Sequence, residues 1–315
     1  MSIEYHRKLL GDGVRNQAFH EALRRSIIPG QTIVADVGAG TGLLSFLALE
    51  LGAKRCYLVE AGPSLALARR LAGQNKLRGC VFVPGHSSEI ELPEKVDLVV
   101  SETLGNFPYE EHLLENLADA RRFLGPRGRM IPAGLRVFAQ PLASARLQEE
   151  VDVWRRVGFG LDLDPARELG LNNMYVKAVR PDDLLGGPEG AREVDRLDLR
   201  RAATSQRILR GRWELAGGGR AHGFALWWTA ELTPEVALPS GPWDPPTHWE
   251  QIFLPLRAPL VAAPGEALEL ELRSDTRWKV GLKVAWTSRV LDRQGRPKAE
   301  DRLSMDKGDL ERLAR

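Results

Sequence analysis

Two glutamates, Glu102 and Glu111, stand nine residues apart in the segment Ser101-Glu102-Thr103-Leu104-Gly105-Asn106-Phe107-Pro108-Tyr109-Glu110-Glu111. The Gly/Asn/Pro loop between them can fold back and bring the carboxylates together. Two carboxylates held close and out of water repel each other, so the pair makes sense only around a cation. A guanidinium suits that place, because its planar fork of five donors meets carboxylates bidentately. An isolated pair of glutamates also occurs on charged surface loops, so the surrounding elements must decide.

A second run, Val34-Ala35-Asp36-Val37-Gly38-Ala39-Gly40-Thr41-Gly42, passes from apolar residues into alternate glycines, and a helical stretch, Leu43 to Leu51, follows. Glycine permits a sharp turn and lets a ligand approach the backbone. A dinucleotide fingerprint would have its third glycine one residue later, where this chain has Leu43. The alternate spacing is the one methyltransferases use, with Gly38 and Gly40 against a methionyl moiety; a tight turn of some other α/β protein is the alternative. Glu60 closes the next strand, 18 residues after Gly42. A carboxylate there can accept both ribose hydroxyls. Asp36, at the end of the first strand, is suited to hold an ammonium group through water. Gly85-His86-Ser87-Ser88-Glu89 follows the third strand, where adenine would lie, with Ser88 and Glu89 as candidate contacts. These residues imply S-adenosyl-L-methionine as cofactor and call for no metal.

The elements that must carry these residues alternate. Thr32 to Asp36, Arg55 to Val59, Cys80 to Pro84 and Val96 to Ser101 read as strands. Leu43 to Leu51, Ser64 to Gly73 and His112 to Leu124 read as helices. That alternation predicts a parallel, doubly wound, Rossmann-like sheet over residues 1–132. Beyond Pro132, Arg207 to Glu214, Gly223 to Leu232, Gln251 to Leu256, Ala267 to Ser274 and Val280 to Leu291 read as strands separated by Gly/Pro-rich turns. They predict an antiparallel β-barrel domain over 133–315. Arg180 to Arg192 reads as a loop. With 43% hydrophobic and 27% charged residues the chain can bury full cores without disulfides or a structural metal. Its net charge of +2, mixed throughout, is no footprint for nucleic acid. No apolar run approaches about 18 residues, so no membrane span is expected. Met1 to Asp12 is too polar for a signal peptide. Cys56 and Cys80 begin apolar runs without metal-type spacing, which predicts buried free thiols and a reducing, cytoplasmic setting.

The chain resembles the protein arginine N-methyltransferases in three separate stretches. Glu102, Gly105 and Glu111 match the family's two-glutamate segment. Thr247-His248-Trp249, with Ser240-Gly241-Pro242 before it and Gln251 after it, matches the threonine-histidine-tryptophan loop. His6, Leu10, Asp12 and Arg15 match a pattern upstream of the glycine loop. The resemblance runs from about residue 5 to 290. It implies that Glu102 and Glu111 clamp the substrate guanidinium, that Arg15 pairs with the cofactor carboxylate, and that His248 lies near the clamp and pairs with Asp12, with a part in proton removal. It further implies an arginine-containing protein or peptide as substrate; the alternatives are a small guanidino or amino acceptor, and a non-catalytic binding homologue. The chain departs from the family in four places. The tyrosine-rich helix before His6 is expected to be absent. Thr103 and Leu104 stand where bulky tryptophan and methionine are common. Ser88 replaces an adenine-binding glutamate. Leu9 and Leu113 replace methionines of the asymmetric dimethylating members, which together with the bulk of Phe107 points to a monomethyl product. A helical arm at about 143–175 is expected to make a homodimer, with Trp154, Val157 and Leu161 on one apolar face.

Overall fold

The computed structural model describes residues 3–201 and 203–310. In the first half α1 (Ile3–Gly11) and α2 (Gly13–Ser26) precede β1 (Ile33–Val37), α3 (Leu43–Glu50), β2 (Arg55–Glu60), α4 (Ser64–Gln74), β3 (Cys80–Pro84), β4 (Val96–Val100), α5 (Leu113–Ala120) and β5 (Leu124–Ile131). The five strands form one parallel sheet in the order β3-β2-β1-β4-β5. All five residues of β1 are buried, as befits a central strand covered on both faces. The strand order reverses between β1 and β4, and ligands bind at such a switch point, beyond the carboxyl ends of the strands. The glycine run leaves β1 there and the two-glutamate segment leaves β4.

The second half contains β6 (Gly134–Leu142), α6 (Ala145–Val151), α7 (Asp164–Leu171), β7 (Tyr175–Lys177), β8 (Arg192–Asp198), β9 (Gln206–Leu215), β10 (Gly219–Thr233), β11 (Val236–Pro239), β12 (Gln251–Ala262), β13 (Glu266–Asp275), β14 (Lys283–Leu291) and β15 (Pro297–Ser304). Two antiparallel sheets result, one ordered β7-β12-β10-β6-β8 with β11 paired to β10, the other β15-β14-β13-β9. Their inner faces meet through contacts such as Trp213 on Phe224, and Trp286 donates from its indole nitrogen to the Pro255 carbonyl. The expected barrel thus takes the form of two sheets sharing a core; among the described residues no hydrogen-bonded ladder joins them.

α1 begins at Ile3 and carries Tyr5, His6 and Leu9. Two expectations change. In the arm, Trp154, Val157 and Leu161 do not share a helical face. The chain makes one 3-10 turn over Val153–Arg156 and then leaves the helix, with Gly158, Phe159 and Gly160 all at positive φ. Trp154 folds back over Gly170, where a Cβ would come within 2.9 Å of its indole nitrogen. Val153, Val157, Phe159 and Leu161 are left exposed, Phe159 by 92%. Finally, only Cys56 is fully buried; Cys80, opposite it in register, is partly exposed, and both are free.

Candidate active site

Cofactor end. Gly38, Gly40 and Gly42 all have positive φ, a region costly for residues with a Cβ. At Gly40 a Cβ would also stand 3.3 Å from the His6 ring. Glu60 reaches back into this loop: its carboxylate accepts from the Gly40 amide at 2.8 Å and from the Gly62 amide at 2.6 Å. Asp36 is buried and accepts from the Ser45 amide at 3.1 Å and hydroxyl at 2.8 Å, which ties β1 to the start of α3. Burial pushes its carboxyl up to about 6, against the pull of the Ser45 hydrogen bonds.

Asp36, Gly38, Gly40 and Glu60 line a cavity of about 270 Å³ together with Tyr5, His6, Leu9, Arg15, Thr103, Glu102 and Glu111. A second hollow, sharing Gly38, Glu60 and Thr103 with the first, is lined further out by Gly85, His86, Ser87 and Asn116. Glu60 therefore sits at the junction, where a ribose would link a methionyl part to an adenine. The Asn116 carbonyl oxygen is buried without a partner while its amide nitrogen donates to the Glu111 carbonyl at 3.0 Å. An orphaned acceptor lining the outer hollow fits an adenine amine, since buried polar atoms normally find partners. Ser88 and Glu89 are exposed, and neither lines either hollow. The 3-10 turn over Ser87–Glu89 turns their side chains outward; Ser88 instead bonds the His86 ring at 2.8 Å. Asn116 and Ser87 line the outer hollow in their stead; the visible signal was a polar residue between the buried Leu113 and Leu117 of α5.

Clamp end. Glu102 and Glu111 line the same cavity from opposite ends of the loop. Arg15 donates to one Glu102 oxygen through both Nε, at 2.7 Å, and Nη2, and the two side chains are nearly fully buried. The other Glu102 oxygen accepts from the Leu104 amide at 3.2 Å. Arg15 thus holds Glu102 as well as facing the cavity where a cofactor carboxylate would lie. Glu111 has a flank open to solvent, and among the described residues its carboxylate has a single hydrogen-bonding partner, the Tyr5 hydroxyl at 3.3 Å. Burial of its carboxyl end, then the charge of Glu102, raises it above the ordinary carboxylate value; the Tyr5 bond pulls the other way. Both Glu111 and His112 have positive φ, 58° and 57°. Such backbone persists only where its surroundings over-determine it. Here the His112 ring is bonded to the Thr276 carbonyl at 2.9 Å, and Glu110 folds under Gly105, whose missing Cβ would lie 1.9 Å from the Glu110 side chain.

The second half fastens this loop. The Trp249 indole donates to the Leu104 carbonyl at 2.6 Å, the Trp228 indole to the Gly105 carbonyl at 3.0 Å, and the Asn106 amide to the Trp249 carbonyl. His248 pairs with Asp12 as the resemblance implies: its Nδ1 lies 2.7 Å, and its backbone amide 2.9 Å, from the same carboxylate oxygen. The other oxygen of Asp12 caps α2 by accepting from the Arg15 amide at 2.9 Å. Burial would raise Asp12, but these hydrogen bonds outweigh it and hold the carboxyl below its ordinary value. The pair does not line the cavity of Glu102 and Glu111; it lines a separate shallow cleft with Lys8, Val14 and Pro246. Asp12 caps α2 and holds His248 at the start of that helix, beside Trp249, whose indole grips the hairpin. Phe107 likewise leaves the site, buried edge-on against Tyr109, and Leu113 packs in the core, whereas Leu9 lines the cavity.

Fold and site define a class: a doubly wound nucleoside-binding domain whose cavity opens on a two-carboxylate clamp built with a second, antiparallel domain. Residues 35–131 match a methyltransferase domain, and residues 135–285 match the arginine methyltransferase oligomerization subdomain. Protein arginine N-methyltransferase 6 of Xenopus tropicalis is 33% identical over 268 residues, covering 80% of this chain and 78% of that protein. Histone-arginine methyltransferase CARMER of Drosophila ananassae is 30% identical over 279 residues, 84% of this chain; the match spans 52% of that relative, about half its length. Among solved structures, the Trypanosoma brucei PRMT1 enzyme–prozyme heterotetrameric complex with AdoHcy superposes with a TM-score of 0.84 at 23% identity, over 96% of this chain and 98% of that one. Arabidopsis thaliana protein arginine methyltransferase 10 gives 0.80 at 23% identity and the same coverages. The chain belongs to the protein arginine N-methyltransferase family.

Proposed function

We propose that this chain transfers methyl groups from S-adenosyl-L-methionine to a guanidino nitrogen of arginine in a protein or peptide. The observation that carries the reading is the Glu102–Glu111 pair: two carboxylates lining one cavity, one held through a single oxygen by Arg15 and the other with no cationic partner among the described residues. A guanidinium is the group that balances such a site. When bound, the cofactor supplies an electrophilic sulfonium methyl group. Glu60 and the Gly38–Gly40 loop hold its ribose and methionyl parts, Asp36 faces its ammonium, and Asn116 faces its adenine. Glu111 and the free lone pairs of Glu102 orient the incoming guanidinium and draw its positive charge away from the attacking nitrogen. Such proximity and preorganised charge supply most of the rate in a reaction of this kind. His248 and Asp12 hold Arg15 and the hairpin in register from behind. Leu9 on the cavity wall favours a monomethyl product.

The two domains meet at 132/133, between the last parallel strand and β6. The exposed apolar residues Val153, Val157, Phe159 and Leu161 favour a homodimer, since a projecting patch of this kind is normally covered. The match of 135–285 to an oligomerization subdomain supports the same reading. The two free thiols fit a cytoplasmic setting. No helix among the described residues is long and apolar enough to cross a membrane. The test is transfer of label from the cofactor to arginine-rich peptides and, separately, to free arginine. Label on peptide alone supports the proposal, and label on neither removes it. Light scattering of the purified protein, with Phe159→Asp as the variant that should dissociate, tests the dimer.

A further inference from the structure

We infer that Tyr5 is a positioning residue of the clamp: from α1 its hydroxyl holds one oxygen of Glu111 so that the other faces the guanidinium. The inference rests on the arginine reading above and extends it to a residue outside the motifs that carry the resemblance. Three observations support it. Tyr5 lines the same cavity as the two glutamates and the glycine loop. Its hydroxyl, 3.3 Å from Glu111 Oε1, is the sole hydrogen-bonding partner of that carboxylate among the described residues. Glu111 also stands on strained backbone at φ +58°, which fixes where its side chain leaves the chain and leaves the orientation of the carboxylate to its one hydrogen bond.

The chemistry favours a neutral donor here. Glu102 is already neutralised by Arg15; a second fixed cation on Glu111 would compete with the substrate. A phenol fixes the carboxylate and leaves its charge available. The carboxylates in turn keep the phenol protonated: burial, then the charges of Glu111 and Glu102, push the Tyr5 hydroxyl above its ordinary value, so it stays a donor at any working pH. Because α1 also sets His6 against Gly40, the same helix registers the methionyl loop and the clamp against each other.

The test is Tyr5→Phe, which removes one oxygen and keeps the ring. Turnover on an arginine peptide should fall about tenfold, the size expected for losing one hydrogen bond to a charged group, while affinity for S-adenosylhomocysteine stays unchanged. The hydroxyl lowers the Glu111 pKa, so its loss should move the acid limb of the kcat/KM profile to higher pH; a merely structural role would not do this. The Glu111 carboxyl can also be titrated directly by 13C NMR, which needs neither substrate nor turnover. An upward shift in Tyr5→Phe, with no further effect of the substitution in a Glu111→Gln background, supports the inference. An unchanged Glu111 titration overturns it, whether or not the protein methylates arginine. A shifted titration in a protein inactive on every arginine acceptor would retain the Tyr5 contact and remove only the arginine reading.

Discussion

The two ends of the cavity are built on different length scales. At the cofactor end the hydrogen bonds that shape the glycine loop span a few tens of residues at most, Glu60 to Gly40 and Asp36 to Ser45, both within one strand–turn–helix–strand unit, and Thr103 and Asn116 join it from beyond β4. At the clamp end they span much of the chain: Tyr5 to Glu111, Arg15 to Glu102, Leu104 to Trp249, Asp12 to His248. The cofactor end is therefore a property of a local motif, and the clamp is a property of the whole fold. Damage should follow the same division. Changes at the first end should alter ligand affinity, and changes at the second should alter chemistry with the cofactor still bound.

The strongest challenge to that division is at the glutamates. Glu102→Gln and Glu111→Gln should each lower the methylation rate at least ~100-fold, as charge-assisted contacts worth about 3 kcal/mol are lost. Glu111→Gln should leave cofactor affinity intact, and Glu102→Gln should disturb it somewhat, because Arg15 loses a buried partner. Near-normal initial rates in both would dissolve the clamp. Next come Glu60→Ala and Gly40→Val, expected to weaken S-adenosylhomocysteine binding ~30-fold in calorimetric titration, about 2 kcal/mol. Gly40→Val fails for two reasons, its φ of +54° and the His6 ring beyond it.

Trp249→Phe sharpens the comparison. It keeps an aromatic side chain at this buried position but removes the indole N–H and its bond to the Leu104 carbonyl, so turnover should drop about fivefold to tenfold with affinity unchanged; wild-type kinetics would show that the hairpin needs no fastening. The smallest effect concerns pH. The Asp36 carboxyl titrates at about 6 in the fold against an ordinary value of 3.8. The folded state therefore holds the proton more tightly, and this group's contribution to stability falls as pH rises from about 4 to about 6, then levels. A bound ammonium favours the charged carboxylate. Cofactor affinity should accordingly rise about threefold from pH 5 to pH 7, and the trend should flatten in Asp36→Asn; an equally steep trend in that variant would remove Asp36 from the ammonium site.

What was legible in the sequence follows the same contrast. β3 is observed at the predicted residues, Cys80–Pro84, and β1, β2 and β4 within a residue or so, because buried parallel strands are short apolar runs bounded by turns. β5, β6, β7, β8, β11 and β15 escaped notice; β5, β7, β8 and β15 lie at sheet edges, whereas β6 is central, between β10 and β8. Charged residues dominate β15, Pro-Lys-Ala-Glu-Asp-Arg-Leu-Ser, as suits an exposed edge and hides any alternation. Glu102, Glu111, Glu60 and the glycines could be named because their spacing is chemical. Tyr5, Trp228 and Asn116 could not, since their roles depend on which distant segment the fold brings beside them. The arm misled for a local reason: helical spacing of Trp154, Val157 and Leu161 counts for nothing when Gly158 and Gly160 break the helix between them.

The tryptophan fasteners carry a consequence for how the protein comes into being. Trp228 and Trp249 are emitted by the ribosome more than a hundred residues after the carbonyls they grip. A nascent or partly unfolded chain can have its glycine loop formed and its nucleoside bound while the hairpin still hangs slack. Such a chain holds an activated methyl donor with no means of aiming it. Competence arrives only when the last sheets close on the first domain, so the act of finishing the fold serves as the safety catch on a reactive cofactor.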